Sequence, residues 1–201
     1  MKLYFAPNTR ATRPRWMLEE LGVPYELEHV KLSEGASHTA EYLAIQPHGQ
    51  VPALVDGDVT TFESTAICMY LADRFIDRGL APPFESPLRA RYYQWLVYCP
   101  ATLEPAIGLL TQHTVVLPAE QRVEPIAAKA RKRLTESLVV LEGALGSRSF
   151  LVGERFSTAD LVVAANLRWA SRSGLLDGSA RLLEYMNAMT SRPAALRAFG
   201  A

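Results

Sequence analysis

Gly49-Gln50-Val51-Pro52-Ala53-Leu54-Val55-Asp56-Gly57-Asp58-Val59-Thr60-Thr61-Phe62-Glu63-Ser64 decides the fold of the first part of this 201-residue chain. Two β-rich runs flank Asp56-Gly57, a strong signal for a tight hairpin. Pro52 opens a strand and has no N–H for a ladder, so it belongs at an edge, and a cis Val51-Pro52 bond accounts for its placement. Beyond the hairpin, Ser64 is read as the cap of a helix in which Ile67, Tyr70, Leu71 and Phe75 recur at helical spacing.

Outward toward the N-terminus, residues 33–50 are polar, with a weak helical pattern at 40–45. Residues 25–32 alternate polar and apolar side chains and read as a half-exposed strand. Before them a helix is expected, with Thr9 as its N-cap, Pro14 in its early turns, and Gly22 and Pro24 as its stop. Leu3-Tyr4-Phe5-Ala6 is a short buried strand ending at Pro7-Asn8. A strand, helix, strand unit is expected to cross over right-handed, with its strands parallel. The first domain, residues 1–77, is therefore a mixed sheet covered by helices.

Outward toward the C-terminus, the proline-rich residues 78–87 read as a linker. Residues 88–201 read as all-helical. Val123, Ile126, Ala127, Ala130, Leu134, Leu138, Leu141 and Leu145 fall three or four apart, and Pro125 either starts that helix or kinks it. Ser157 and Asp160 have capping-box spacing, with Phe156 and Leu161 at the hydrophobic-staple positions.

Composition narrows the chemistry. Twenty-one Lys+Arg balance 21 Asp+Glu, so nothing draws the chain generally to nucleic acid or to a charged membrane. The zero is a sum of unequal halves: residues 1–80 carry 7 basic against 11 acidic residues, a net of −4, and residues 81–201 carry 14 against 10, a net of +4. Two cysteines without a CxxC suit a reducing cytoplasm, and Cys68 and Cys99 sit in apolar helical contexts that suit core packing. The apolar run at the N-terminus is too short for a signal sequence, and no segment has the length of a membrane span. GxGxxG, P-loop, GxSxG and HExxH motifs are absent, and no metal site is expected.

Three features remain. The turn Pro7-Asn8-Thr9-Arg10 lies where open α/β sheets place ligands, with Arg10, Arg13 and Arg15 as nearby cations. Val51-Pro52 opens a strand. Glu63-Ser64 puts a carboxylate and a hydroxyl at a helix N-terminus, an arrangement suited to a ligand carrying both a carboxylate and an amine.

These segments, with Leu18-Glu19-Glu20-Leu21-Gly22-Val23-Pro24-Tyr25-Glu26, the run from Glu63 to Ala72 and the Phe156–Asp160 segment, resemble the cytosolic glutathione S-transferase family over essentially the whole chain. The resemblance implies a thioredoxin-like α/β N-terminal domain, an all-α helical C-terminal domain, an active site in the cleft between them and a homodimer. It also implies glutathione as co-substrate, conjugated to a small apolar electrophile. By position, Val51 pairs its main chain with the cysteinyl part of glutathione, Pro52 is the cis-proline, and Ser64 with Glu63 holds the γ-glutamyl end. Gln50 stands where many members have lysine, so the charge-assisted part of the contact to the glycine carboxylate is lost. Thr9 takes the serine-type catalytic position with Arg13 four residues on, while the cysteine-type position holds Arg10; Thr9 is alternatively only a cap, with Arg10 or Asn8 as the sulfur's donor. Tyr98 and Thr102 are implied for the electrophile site. Trp95 and Trp169 read as packing residues, and His48 and Glu104 as surface or capping residues. Isomerase, dehalogenase or peroxidase chemistry on the same fold, or a non-catalytic binding module, are the alternatives.

Overall fold

Strand β1 (Lys2–Phe5) pairs parallel with β2 (Glu26–His29) and antiparallel with β3 (Ala53–Asp56), which pairs antiparallel with β4 (Val59–Phe62). The resulting sheet order is β2-β1-β3-β4. The computed structural model describes residues 1–176 and 178–200. It forms two units, Met1–Pro83 together with the residues from Thr190 onward, and Phe84–Met189.

In the first unit the hairpin turns at Gly57, whose φ of 60° suits the two-residue loop closed by the Asp56–Val59 pair. Successive side chains of β1 face opposite sides of the sheet. Phe5 meets helix α1 (Thr12–Leu21), where the Arg15 guanidinium lies 5.0 Å over its ring. On the other side Tyr4 meets Tyr42 of the short helix α2 (Ala40–Leu43), with ring centroids 5.5 Å apart. Helix α3 (Ser64–Arg74) packs beside α1. Gly22 ends α1 in the left-handed conformation, as its sequence position implies.

Two helix starts differ from expectation. Helix α1 begins at Thr12, and Thr9 instead closes the turn before it: its hydroxyl donates to the Ala6 carbonyl (2.7 Å) and accepts from the Ala11 amide (3.2 Å). A hydroxyl bonding its own neighbouring backbone forms a turn more readily than a helix. Ser64 is the first residue of α3, not its cap; the cap position is Glu63 at φ 69°, and no side chain caps the helix.

The chain returns to this unit at its C-terminus. Helix α9 (Pro193–Phe199), expected among the helices of residues 88–201, packs on α1. The Phe199 ring stands edge-on to Trp16 at 5.6 Å, Arg192 grips Glu20 with two bonds of 2.6 and 2.8 Å, and Arg197 reaches Glu19 at 2.6 Å. Trp16 explains the docking. A fully buried indole needs apolar cover and a partner for its N–H, which here donates to Glu20 at 2.9 Å.

The second unit holds α4 (Leu88–Tyr98), α5 (Glu104–Thr111), α6 (Glu124–Leu145), α7 (Thr158–Arg172) and all but the last residue of α8 (Ala180–Thr190). Wide π-helical turns at Cys99–Leu103 and Gln112–Val116 flank α5. A proline inside a helix lacks an N–H and crowds the preceding turn, and a π-turn is one way to accommodate Pro100. Pro125 starts α6 rather than kinking it, and Ala127, Ala130, Leu134, Leu138, Leu141 and Leu145 form its buried stripe. The capping box of α7 is present: Asp160 accepts from the Ser157 amide and hydroxyl, both at 2.9 Å. Its other oxygen accepts from the Leu151 amide and the Tyr185 hydroxyl, both at 2.8 Å, which tie a preceding loop and α8 to the same carboxylate.

Candidate functional site

Strand register brings the three sequence features of the first unit together. Ala53 is flanked by Tyr4 of β1 and Phe62 of β4, so one edge of the sheet carries the segments that follow β1, precede β3 and follow β4. These are the turn of residues 6–11, Gln50-Val51-Pro52, and Glu63-Ser64. The Val51-Pro52 peptide is cis, as expected, but β3 is an inner strand and not the expected edge; Pro52 is accommodated because the ladder begins only at Ala53.

At the start of α3, the Ser64 side chain is buried and accepts a hydrogen bond of 3.1 Å from Arg13 Nη1. Arg13 is itself only 3% exposed. Both the uncapped helix end and this guanidinium favour an anion near Ser64. The adjacent Cys68 is fully buried, and burial pushes its thiol up to about 12 despite the charge of Arg13, so it stays a protonated core thiol. Cys99 is buried in the second unit. Glu63 is exposed at the lip of the edge.

The expected arginine cluster is dispersed. Arg10 is exposed on the β1–α1 turn, Arg13 turns inward to Ser64, and Arg15 lies on Phe5. Thr9 is half-buried, and its single hydroxyl hydrogen points to Ala6 O. Asn8 is exposed and adopts φ 58°, a conformation asparagine tolerates better than most residues.

Behind the edge lie residues the sequence reading missed. The Gln46 side-chain oxygen accepts from the amides of His48 (2.7 Å) and Gln50 (3.3 Å), and the Tyr42 hydroxyl donates to the Gln50 carbonyl at 2.6 Å. The side chain of Gln50 is exposed. His48 is exposed with its ring edge-on to Phe62.

In the second unit, Tyr98 ends α4 and donates its hydroxyl to Ser137 O at 3.0 Å, while Thr102 lies half-buried in the π-turn. Trp95 is buried edge-on to Tyr98, and Trp169 packs against Gly108 of α5. Glu104 is buried rather than at the surface or at a cap: the backbone runs helically through the π-turn into α5, and the Glu104 amide already donates to the Cys99 carbonyl. Among the described residues no group of three or more His, Cys, Asp or Glu is placed to hold a metal ion, and no helix is long and apolar enough to cross a membrane.

Residues 1–73 match the family model described as "Glutathione S-transferase, N-terminal domain", and residues 92–193 match "Glutathione S-transferase, C-terminal domain". The chain belongs to the glutathione S-transferase family. Over 197 residues it is 32% identical to glutathione S-transferase GstA of Escherichia coli O157:H7, covering 96% of this chain and 94% of that one. It is 36% identical over 162 residues to glutathione S-transferase F10 of Arabidopsis thaliana, covering 78% and 73%. Among solved structures, a glutathione transferase family member from Pseudomonas fluorescens Pf-5 with two glutathione bound superposes with a TM-score of 0.89 at 26% identity, covering 98% and 91%. The glutathione S-transferase architecture of a thioredoxin-like sheet domain and a helical domain is thus the architecture of this chain.

Proposed function

We propose that this family member activates the thiol of glutathione and transfers the sulfur to a small, mostly apolar electrophile. The observation that carries this reading is the shared sheet edge, where the cis Val51-Pro52 bond stands beside an uncapped α3 N-terminus holding Ser64. Transferase names among the relatives favour transfer over isomerase, dehalogenase, peroxidase or pure binding roles.

The γ-glutamyl end suits Glu63 and Ser64: the exposed carboxylate is available to an ammonium, and the hydroxyl with the first amides of α3 to a carboxylate. Val51 offers main-chain groups outside the ladder to the cysteinyl part, and Gln50 offers a neutral amide to the glycine carboxylate. The thiol then faces the turn of residues 6–11. A free thiol near pKa 8.5 is mostly protonated at neutral pH, and lowering it by about 2 units takes about 2.7 kcal/mol. A hydrogen bond to a charged sulfur supplies about 1.5–3 kcal/mol. For Thr9 to provide it, the hydroxyl must rotate away from Ala6 O, exchanging a neutral hydrogen bond for a charge-assisted one. Arg10 adds a nearby positive charge. The thiol proton goes to solvent, the sulfur forms its bond to carbon, and the leaving group departs with the electron pair of the bond it breaks.

Tyr98 and Thr102 are proposed for the electrophile pocket; with its hydrogen given to Ser137 O, Tyr98 contributes its ring rather than an acid. A cytoplasmic setting is supported by two buried cysteines that are not joined in a disulfide, and a homodimer by the opposite net charges of the two halves, whose attraction acts over about 8 Å at physiological salt. The experiment is turnover of a chromogenic aryl halide with glutathione by purified protein. Thr9→Ala is expected to lower kcat well beyond its effect on glutathione KM, and an unchanged kcat moves the donor role to Arg10 or Asn8.

A further inference from the structure

We propose that Tyr42 and Gln46 are positioning residues for this reaction, clamping the main chain of Gln50 from both sides and thereby setting the edge along which glutathione is bound. The proposal rests on the glutathione reading above and adds to it two residues that do not touch the substrate.

Residues 48–52 precede the ladder, which starts at Ala53, so no neighbouring strand fixes their main chain. Side chains do so instead. Gln46, only 4% exposed, uses one oxygen to accept from both the His48 and Gln50 amides. Tyr42 donates its hydroxyl to the carbonyl of the same Gln50, at 2.6 Å. Both hydrogen-bonding groups of the residue before Val51 are therefore engaged by side chains from one short region of sequence. Removing either contact releases the segment that precedes the cis peptide.

The clamp is itself held. Thr39 caps α2 by accepting from the Tyr42 amide at 3.3 Å, and the Tyr42 ring rests edge-on against Tyr4 of the sheet. Burial first, then the neighbouring Tyr4, pushes the Tyr42 hydroxyl up to about 12, so it stays a donor at every working pH. Gly49 closes the loop at φ 62°, and a Cβ there would stand 2.9 Å from the Ser37 carbonyl, so the loop lies directly on the segment before α2. A residue needed only for bulk would not require an acceptor at 46 and a donor at 42.

Three variants of the full chain test this. Tyr42→Phe keeps the ring and removes the donor, Gln46→Leu removes the acceptor at similar size, and Gln46→Glu keeps an acceptor oxygen. Tyr42→Phe and Gln46→Leu are each expected to raise glutathione KM about five- to tenfold, with kcat at saturating glutathione within about twofold of wild type. Gln46→Glu is expected to keep most of the wild-type KM. In the glutathione-free protein, the Gln50 amide should exchange hydrogen faster in Gln46→Leu than in wild type and Gln46→Glu. If Gln46→Leu does not fold, Tyr42→Phe decides. Folded variants with unchanged KM overturn the proposal, as does equal loss in Gln46→Leu and Gln46→Glu. Failure of the wild type to bind glutathione overturns the function instead, and the amide-exchange comparison then still decides whether Gln46 holds the loop.

Discussion

Arg13 Nη1 donates to Ser64 Oγ at 3.1 Å, joining α1 to α3 inside the first unit across 51 residues of sequence. The guanidinium thus reaches the γ-glutamyl end of the proposed site through the serine rather than from the exposed turn. Removing the hydroxyl and removing the arginine should therefore differ. Ser64→Ala is expected to weaken glutathione binding about tenfold, measured by calorimetry, while costing about 1 kcal/mol of stability. Arg13→Ala, which also empties a buried volume, is expected to cost about 3 kcal/mol in urea unfolding as well as affinity. Equal stability loss in both variants would contradict this division.

The docking of α9 on α1 gives an acid-sensitive contribution to stability. Burial raises the pKa of Glu19, but hydrogen bonds from Arg197 and Tyr25, with the charges of Arg197 and Arg15, outweigh it and hold the carboxyl below its ordinary 4.5. A depressed folded-state pKa stabilises above the unfolded value, and the gain is lost as pH falls through the lower folded value. Arg197 is more than half exposed, so Arg197→Ala is expected to cost only about 0.5 kcal/mol at pH 7. That difference from wild type should shrink once the pH falls below 4.5, as followed by urea unfolding at several pH values. A difference independent of pH would show that Arg197 acts by packing alone.

Asp160 is fully buried and collects four donors from Leu151, Ser157 and Tyr185. Burial raises its pKa against the pull of those bonds. Asp160→Ala strands several buried donors and should cost about 3 kcal/mol or more, read as a lower urea midpoint at constant m. Asp160→Asn, which keeps one acceptor oxygen, should cost less. A loss near that of a lone cap, about 1 kcal/mol, would mean the loop and α8 contacts contribute little.

Local chemistry explains what was legible in the sequence. Asp56-Gly57 between β-rich runs, Gly22 after an apolar helix, and Ser157 with Asp160 each specify a turn or cap by their own backbone preferences, and each stands as read. The cis Val51-Pro52 bond was legible because proline offers few other reasons to open a strand there. Tyr42 and Gln46 were not, because a side chain bonding the main chain of a loop leaves no periodic trace. The two helix starts shifted because each hydroxyl is engaged elsewhere: Thr9 bonds the turn before α1, and Ser64 accepts from the Arg13 guanidinium instead of capping α3. The return of α9 to the first unit depends on Trp16, Glu19 and Glu20 meeting residues more than 170 positions away, a pairing that composition and spacing do not encode.

Activation of the thiol by the Thr9 hydroxyl is the central claim, and titrating the thiolate absorbance of enzyme-bound glutathione tests it most directly. The bound thiol of the wild type should titrate about 2 units below the free value near 8.5, and Thr9→Ala should return most of that shift while binding glutathione nearly as well. A bound thiol that titrates at the free value in the wild type, or a full shift that survives in Thr9→Ala, would contradict the account.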